Sequence, residues 1–225
     1  AVAERGRVPD RPQRRHPPLM LDAIHRLLAE LYDVTPIESL DRFVCGPKLL
    51  TALAGQAAVE RREVLLVVEN EQGVHVGLYL DPKVLDALKR GAPSFDALCL
   101  ATEGVSHFLY LSFREKNSDQ VSQLELELQA EVDMYAAGLL AGNGVGAIQA
   151  RSRALRERLF ATARFIDAPD TEAGERYRVA HQAAARYTAR LEARFVTPCR
   201  LEDLSVELRR FYRMGARAKL EHTRH

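Results

Sequence analysis

Glu103 and His107 stand four residues apart, close to one turn of an α-helix, so on a helix both would project from the same face. Glu125, Glu127 and Glu131 follow on the next helical stretch. If the two helices fold back on each other, Glu103, His107 and Glu131 converge. Carboxylates and an imidazole inside a helical bundle are the donor types of a non-haem site for a divalent transition metal. The paired Glu-x-x-His motif of di-iron bundles is missing from these segments. The competing expectation is a purely structural pair, with Glu103 and His107 hydrogen-bonded to each other or to a helix terminus.

A second constellation lies further along. Arg176 and His181 spell R-x4-H in a helical, basic stretch. Over those six residues the chain resembles the active-site motif of HEPN-type ribonucleases. The resemblance implies metal-independent RNA cleavage in a helical bundle. Arg176 would stabilise the developing phosphate charge, and His181 would exchange the proton of the attacking 2′-hydroxyl.

Basic side chains cluster at Arg151, Arg153, Arg156 and Arg158, and again at Arg209, Arg210, Arg213, Arg217 and Lys219. Arginine suits phosphate recognition, so Arg151, Arg153, Arg209, Arg210, Arg213 and Arg217 are candidate contacts for nucleic acid or for an acidic partner. The alternative is a solvated face, or pairing with the acidic half of this same chain. Few aromatics accompany them, which argues against a single-strand stacking platform.

Other chemistries find little footing. The run Gly142-Asn143-Gly144-Val145-Gly146 follows a helix instead of a strand, so it reads as a helix terminus or hinge, not as a dinucleotide loop. Cys45, Cys99 and Cys199 are odd in number and widely spaced, against a disulfide framework and in keeping with a reducing compartment. Cys45 reads as an inert buried thiol. No G-x-S-x-G elbow is present, and no cofactor is expected.

The elements that must position these groups are legible in the hydrophobic pattern. The 225 residues are 47% hydrophobic, enough for a substantial core, with no Trp. No apolar run approaches the roughly 18–20 residues of a membrane span. Residues 1–19 are rich in Arg and Pro and read as a disordered arm before a folded unit starting at Met20. The overall charge of +1 conceals a polarity: residues 20–150 carry a net −9, and residues 151–225 a net +7. Such asymmetry points to partners or to internal docking.

An amphipathic helix is expected over 20–32, a short strand near Phe43–Cys45, and a helix after Gly46-Pro47. The apolar run Val64–Val68 predicts a strand buried on both faces. The alternation from Val74 to Leu80 predicts a half-exposed partner, making a hairpin over 64–80. Asp81 and Pro82 start a short helix that Gly91 ends, and Ser94 caps a long one over 95–116. Ser118 is expected to open the next, to about Leu140. Helices are then expected over about 147–166, 171–195 and 199–213.

The fold class is therefore α+β and helix-rich, with a small antiparallel sheet around the hairpin. An acidic part over 20–140 precedes a basic helical part over 147–225, and the two are either separate or one globule. The favoured reading of function is a cytoplasmic, non-enzymatic interaction or regulatory module. It would work through a protein partner or self-association, with nucleic acid as an alternative partner and no membrane. A HEPN-like ribonuclease and a carboxylate/histidine metal protein are the alternatives.

Overall fold

The computed structural model describes residues 20–36, 39–70, 73–116, 120–141, 148–162, 165 and 167–224. The arm over 1–19, Ser118 and the glycine run 142–146 lie outside them. The described elements, in chain order, are α1 (Met20–Tyr32), β1 (Val44–Cys45), α2 (Pro47–Ala54), β2 (Glu63–Asn70), β3 (Gly73–Leu80), α3 (Pro82–Lys89), α4 (Phe95–Lys116), α5 (Gln123–Leu140), α6 (Ile148–Arg156), α7 (Glu172–Leu191), α8 (Leu201–Tyr212) and α9 (Ala216–His222). α6 and α7 run on into π-helical turns, Glu157–Ala161 and Glu192–Val196. The fold is α+β and rich in helix. Among the described residues no helix is long and apolar enough to cross a membrane.

The punctuation acts where the residue types demand. Asp81 accepts the amide of Lys83 at 2.7 Å, and Gly91 takes a φ of 69° just beyond α3. Ser94 Oγ accepts the amide of Ala97 at the start of α4. α5 begins at Gln123 with Ser122 as its cap, some residues later than the sequence suggests.

The sheet corrects two expectations. Its order is β1-β3-β2; the hairpin is antiparallel, but β1 runs parallel to β3, so the sheet is mixed. The strand roles are also exchanged. β2, with its continuous apolar run, is an edge strand whose Val67 is 53% exposed. β3 is central, and Leu78, Tyr79 and Leu80 are all buried. The reason is that β3 is covered on both faces. Leu78 and Leu80 join the main core, while Tyr79 and Leu66 pack with Cys45 and Leu50 below α2.

The main core is continuous from Leu21 of α1 to Tyr212 of α8, so acidic and basic parts share one apolar interior. α5 lies at its centre, packed against α1, α4, α6, α7 and α9. Its apolar stripe of Leu128, Val132, Tyr135 and Leu139 is buried as its spacing predicts. So are Glu125, Gln129 and Asp133, spaced four apart on another side of the same helix.

Those three polar groups are satisfied from neighbouring helices. Asp133 accepts from Tyr32 of α1, from Ser106 of α4 at 2.6 Å and from Gln129 at 2.7 Å. Glu125 accepts from Tyr110. Lys219, on the short α9 that hydrophobic periodicity does not reveal, is fully buried. It donates to Gln129 Oε1 at 2.6 Å and stands 3.9 Å from the centre of the Tyr110 ring. Burial pushes its ammonium down to about 7, against the pull of Glu125 and Asp133.

Lys219→Met keeps the apolar stem but leaves Gln129 Oε1 without its donor. The expected cost is about 1–3 kcal/mol, read as a lower urea midpoint in equilibrium unfolding. An unchanged midpoint would show that the Gln129 contact contributes nothing to holding α9.

Candidate functional site

A second polar zone lies on the opposite side of α5, and it is not satisfied in the same way. Glu103 and His107 of α4 and Glu127 of α5 each bring one donor atom to a point where all three lie within 4.8 Å of one another. Glu63, the first residue of β2, completes the group. His107 Nδ1 is 3.4 Å from Glu63 Oε1, and His107 Nε2 is 3.8 Å from Glu127 Oε2. The side chains of His107, Glu63 and Glu127 are 8%, 9% and 12% exposed.

Local structure explains how these groups meet. α4 and α5 pack antiparallel: as partners step along α4 from Ser106 to Tyr110, they step back along α5 from Asp133 to Glu125. This register sets His107 opposite Glu127. Gly104 lets the hairpin reach α4. A Cβ there would lie 2.7 Å from Leu78 Cδ1 and 3.2 Å from Glu63 Cγ, so a side chain would require Leu78, and to a lesser degree Glu63, to shift. α7 closes the remaining side, where Tyr177 hydrogen-bonds Glu127 and the charge of Arg176 acts on the same carboxylate.

The electrostatics are those of excess negative charge in a dry place. Burial, then the neighbouring Glu63, pushes the Glu103 carboxyl up to about 8. Part of the Glu103 residue reaches the surface, but its carboxyl is desolvated. Burial also raises Glu127, opposed by the charge of His107. For His107 burial acts downward, but Glu63, Glu127 and Glu103 together outweigh it and hold the imidazolium up to about 9. Three carboxylates share one imidazole, whose Nε2 is buried with no hydrogen-bond partner.

Of the expected trio Glu103, His107 and Glu131, the first two meet Glu127 within 4.8 Å. Glu103 and His107 do not hydrogen-bond each other, since His107 Nδ1 meets Glu63. Glu131 sits one turn further along α5 and pairs with His181 Nδ1 at 3.0 Å. Glu63 had no signal in the sequence, because it opens a strand forty residues away. Glu127 lies on the same helix as Glu131, but only the packing register distinguishes them.

Arg176 and His181 both lie on α7 beside this zone. His181 is buried, with Nδ1 facing Glu131, Nε2 3.4 Å from the Phe160 carbonyl, and the Phe160 and Phe165 rings against it. Arg176 has a buried Nε without a hydrogen-bond partner. Of the candidate contact arginines, three serve helix ends. Arg151 donates to the Leu139 carbonyl of α5, Arg209 to Leu31 and Arg213 to Tyr32 of α1. Arg217 pairs with Glu221 at 2.9 Å on the surface, and Arg153 and Arg210 are exposed. Cys45 is buried and its thiol is raised by burial, as for an inert core cysteine.

No protein-family model, curated protein or solved structure matches the chain.

The raised Glu103 and His107 have a defined consequence for stability without metal. Both hold protons in the folded state that the unfolded chain has released above its ordinary values of 4.5 and 6.5. Their contribution is complete below those values and is lost as pH rises through about 8 for Glu103 and about 9 for His107. In chelator, the stability of the wild type relative to Glu103→Gln should decline as pH rises toward about 8, a comparison in which the opposing titration of buried Lys219, lowered to about 7, cancels. An unchanged difference between the two proteins from about pH 5 to 8 would contradict the assigned shift.

Proposed function

We propose that this protein binds a divalent first-row transition metal through Glu103, His107 and Glu127. The observation that carries this reading is the buried His107 Nε2, which has no hydrogen-bond partner and stands 3.8 Å from Glu127 Oε2, in a residue grouped with Glu103 and Glu127. A structural ion pair would be expected to fill its donors and balance its charge. Here three carboxyl groups surround a single imidazole, more acidic ligands than one imidazolium can neutralise if all are ionised, and a bound cation would favour their ionised forms.

The Glu63 contact supports the same reading. Metal-bound histidines characteristically give their other ring nitrogen to a carboxylate, which fixes the tautomer and ring orientation. With Nδ1–H donated to Glu63 at 3.4 Å, Nε2 is left as the ligating atom. An O,O,N donor set without thiolate suits manganese, iron or zinc. Three protein ligands leave coordination positions open, the condition for a catalytic site as distinct from a structural one. Bound there, the ion would supply Lewis acidity to an oxygen-donor substrate. Glu63 and Tyr177 would hold His107 and Glu127 in place, and Gly104 would keep Glu63 within reach.

The ribonuclease reading needs an accessible imidazole, and His181 is packed between two phenyl rings with both nitrogens engaged.

Glu103→Gln separates a functional carboxylate from a structural one. It removes a buried charge while keeping shape, so the metal-free protein should melt higher at pH 8. Its affinity for Mn2+ or Zn2+, measured by isothermal titration, should fall at least about tenfold, and His107→Ala should do the same. Equal metal affinity in wild type and both variants, or no binding to any of them, would sink the proposal.

A further inference from the structure

A cleft of about 270 Å3, sharing no residue with the candidate metal centre, opens between α1, α3 and the turn that leads into β1. Its floor is apolar. Leu21 of α1 and Leu88 of α3 are buried, and Met20, Val44 and Leu85 pack beside them against the main core. Two charged side chains, Asp41 and Lys89, complete the lining.

Buried neighbours hold both charges at the cleft. Asp41 follows Leu40, which is fully buried and whose amide donates to Asp22 Oδ1 at 3.0 Å. That bond ties the short 3-10 helix Leu40–Arg42 to α1 and engages the Asp22 carboxylate. Lys89 follows the buried Leu88 at the end of α3. Among the described residues neither the Asp41 nor the Lys89 side chain has a hydrogen bond or an ion pair. They sense each other nevertheless. Partial desolvation and the charge of Asp22 raise the Asp41 carboxyl, and the charge of Lys89 opposes them. An acid and a base thus line one cleft without pairing.

We infer that this cleft binds a small aliphatic α-amino acid, with its ammonium on Asp41, its carboxylate on Lys89 and its side chain on the apolar floor. An α-amino acid carries both charged groups on one carbon. With a charge-assisted hydrogen bond of roughly 2.8 Å at each end, it bridges an acid and a base standing about 6–8 Å apart. Such a ligand suits a pair that feel each other's charge without touching, whereas a ligand of one charge leaves one of them unused. The cleft is just under the roughly 300–1,000 Å3 of sites for drug-sized molecules, which favours a smaller ligand. The floor side chains offer no donor or acceptor to a hydroxyl or amide and no ring for stacking, so they select an aliphatic side chain.

Isothermal titration of the full-length protein with L-leucine tests this. Isoamylamine and 4-methylpentanoate serve as probes that keep the aliphatic group and only one charge. L-Leucine should bind with one equivalent per chain, and each single-charge probe at least about tenfold more weakly. Asp41→Asn and Lys89→Met, both at exposed positions, should each weaken L-leucine by a similar factor while leaving the melting temperature nearly unchanged. No saturable binding of L-leucine would overturn the inference. So would a single-charge probe that binds as tightly, or an L-leucine affinity that neither variant alters.

Discussion

Burying α5 with its polar side chains is the constraint on which the rest of the structure depends. The helix packs against other elements on nearly every side, yet it carries Glu125, Glu127, Gln129, Glu131 and Asp133. A buried carboxylate is tolerable only if hydrogen bonds or cations replace its water. The surrounding helices are accordingly placed to deliver partners. Tyr32 comes from α1, Ser106 and Tyr110 from α4, and Lys219 from α9. The short α9 is held by that lysine together with Leu220 against the core and His222 against Glu207.

The two sides of α5 answer the constraint differently, and the difference separates architecture from chemistry. Around Asp133, three donors converge and a lysine lies close by, although burial still raises the carboxyl to about 6. That network is complete in itself and ties four helices together. Around His107, carboxylates come from β2, α4 and α5, and the one imidazole they surround keeps a buried nitrogen unused. A protein selected for stability alone would place a neutral side chain at Glu103. Retaining mutually repelling carboxylates costs stability, and groups with such raised values cluster where they serve a function.

Charge polarity along the chain has a similar resolution. Part of the basic excess in the C-terminal half is consumed internally. Arg151, Arg209 and Arg213 cap the C-terminal carbonyls of α5 and α1, and Arg156 reaches Glu192 at 2.9 Å. These contacts are of arginine with backbone at helix ends more than of arginine with the acidic side chains upstream. Arg61 with Asp167, at 3.5 Å, runs the other way, a base of the acidic half with an acid of the basic half.

Local features of the sequence determined most of the elements. Helical periodicity placed α1 and α4, and Asp81 with Pro82 and Gly91 bounded α3, because caps and turns depend on neighbours within a few residues. The pairing of Glu103 with His107 was equally readable, since helical spacing alone puts them on one face. Tertiary structure decided the rest. Whether Glu127 or Glu131 would meet His107 depended on the register of α4 against α5, which no residue in either helix states by itself. Glu63 entered the group through a hairpin docking against Gly104. β2 became the edge and β3 the centre because β1, a strand of only two residues, added to β3. α9 escaped notice because a buried lysine gives no hydrophobic signal. In each case the deciding interaction joins residues far apart in the chain, and its energy exists only once the helices have packed.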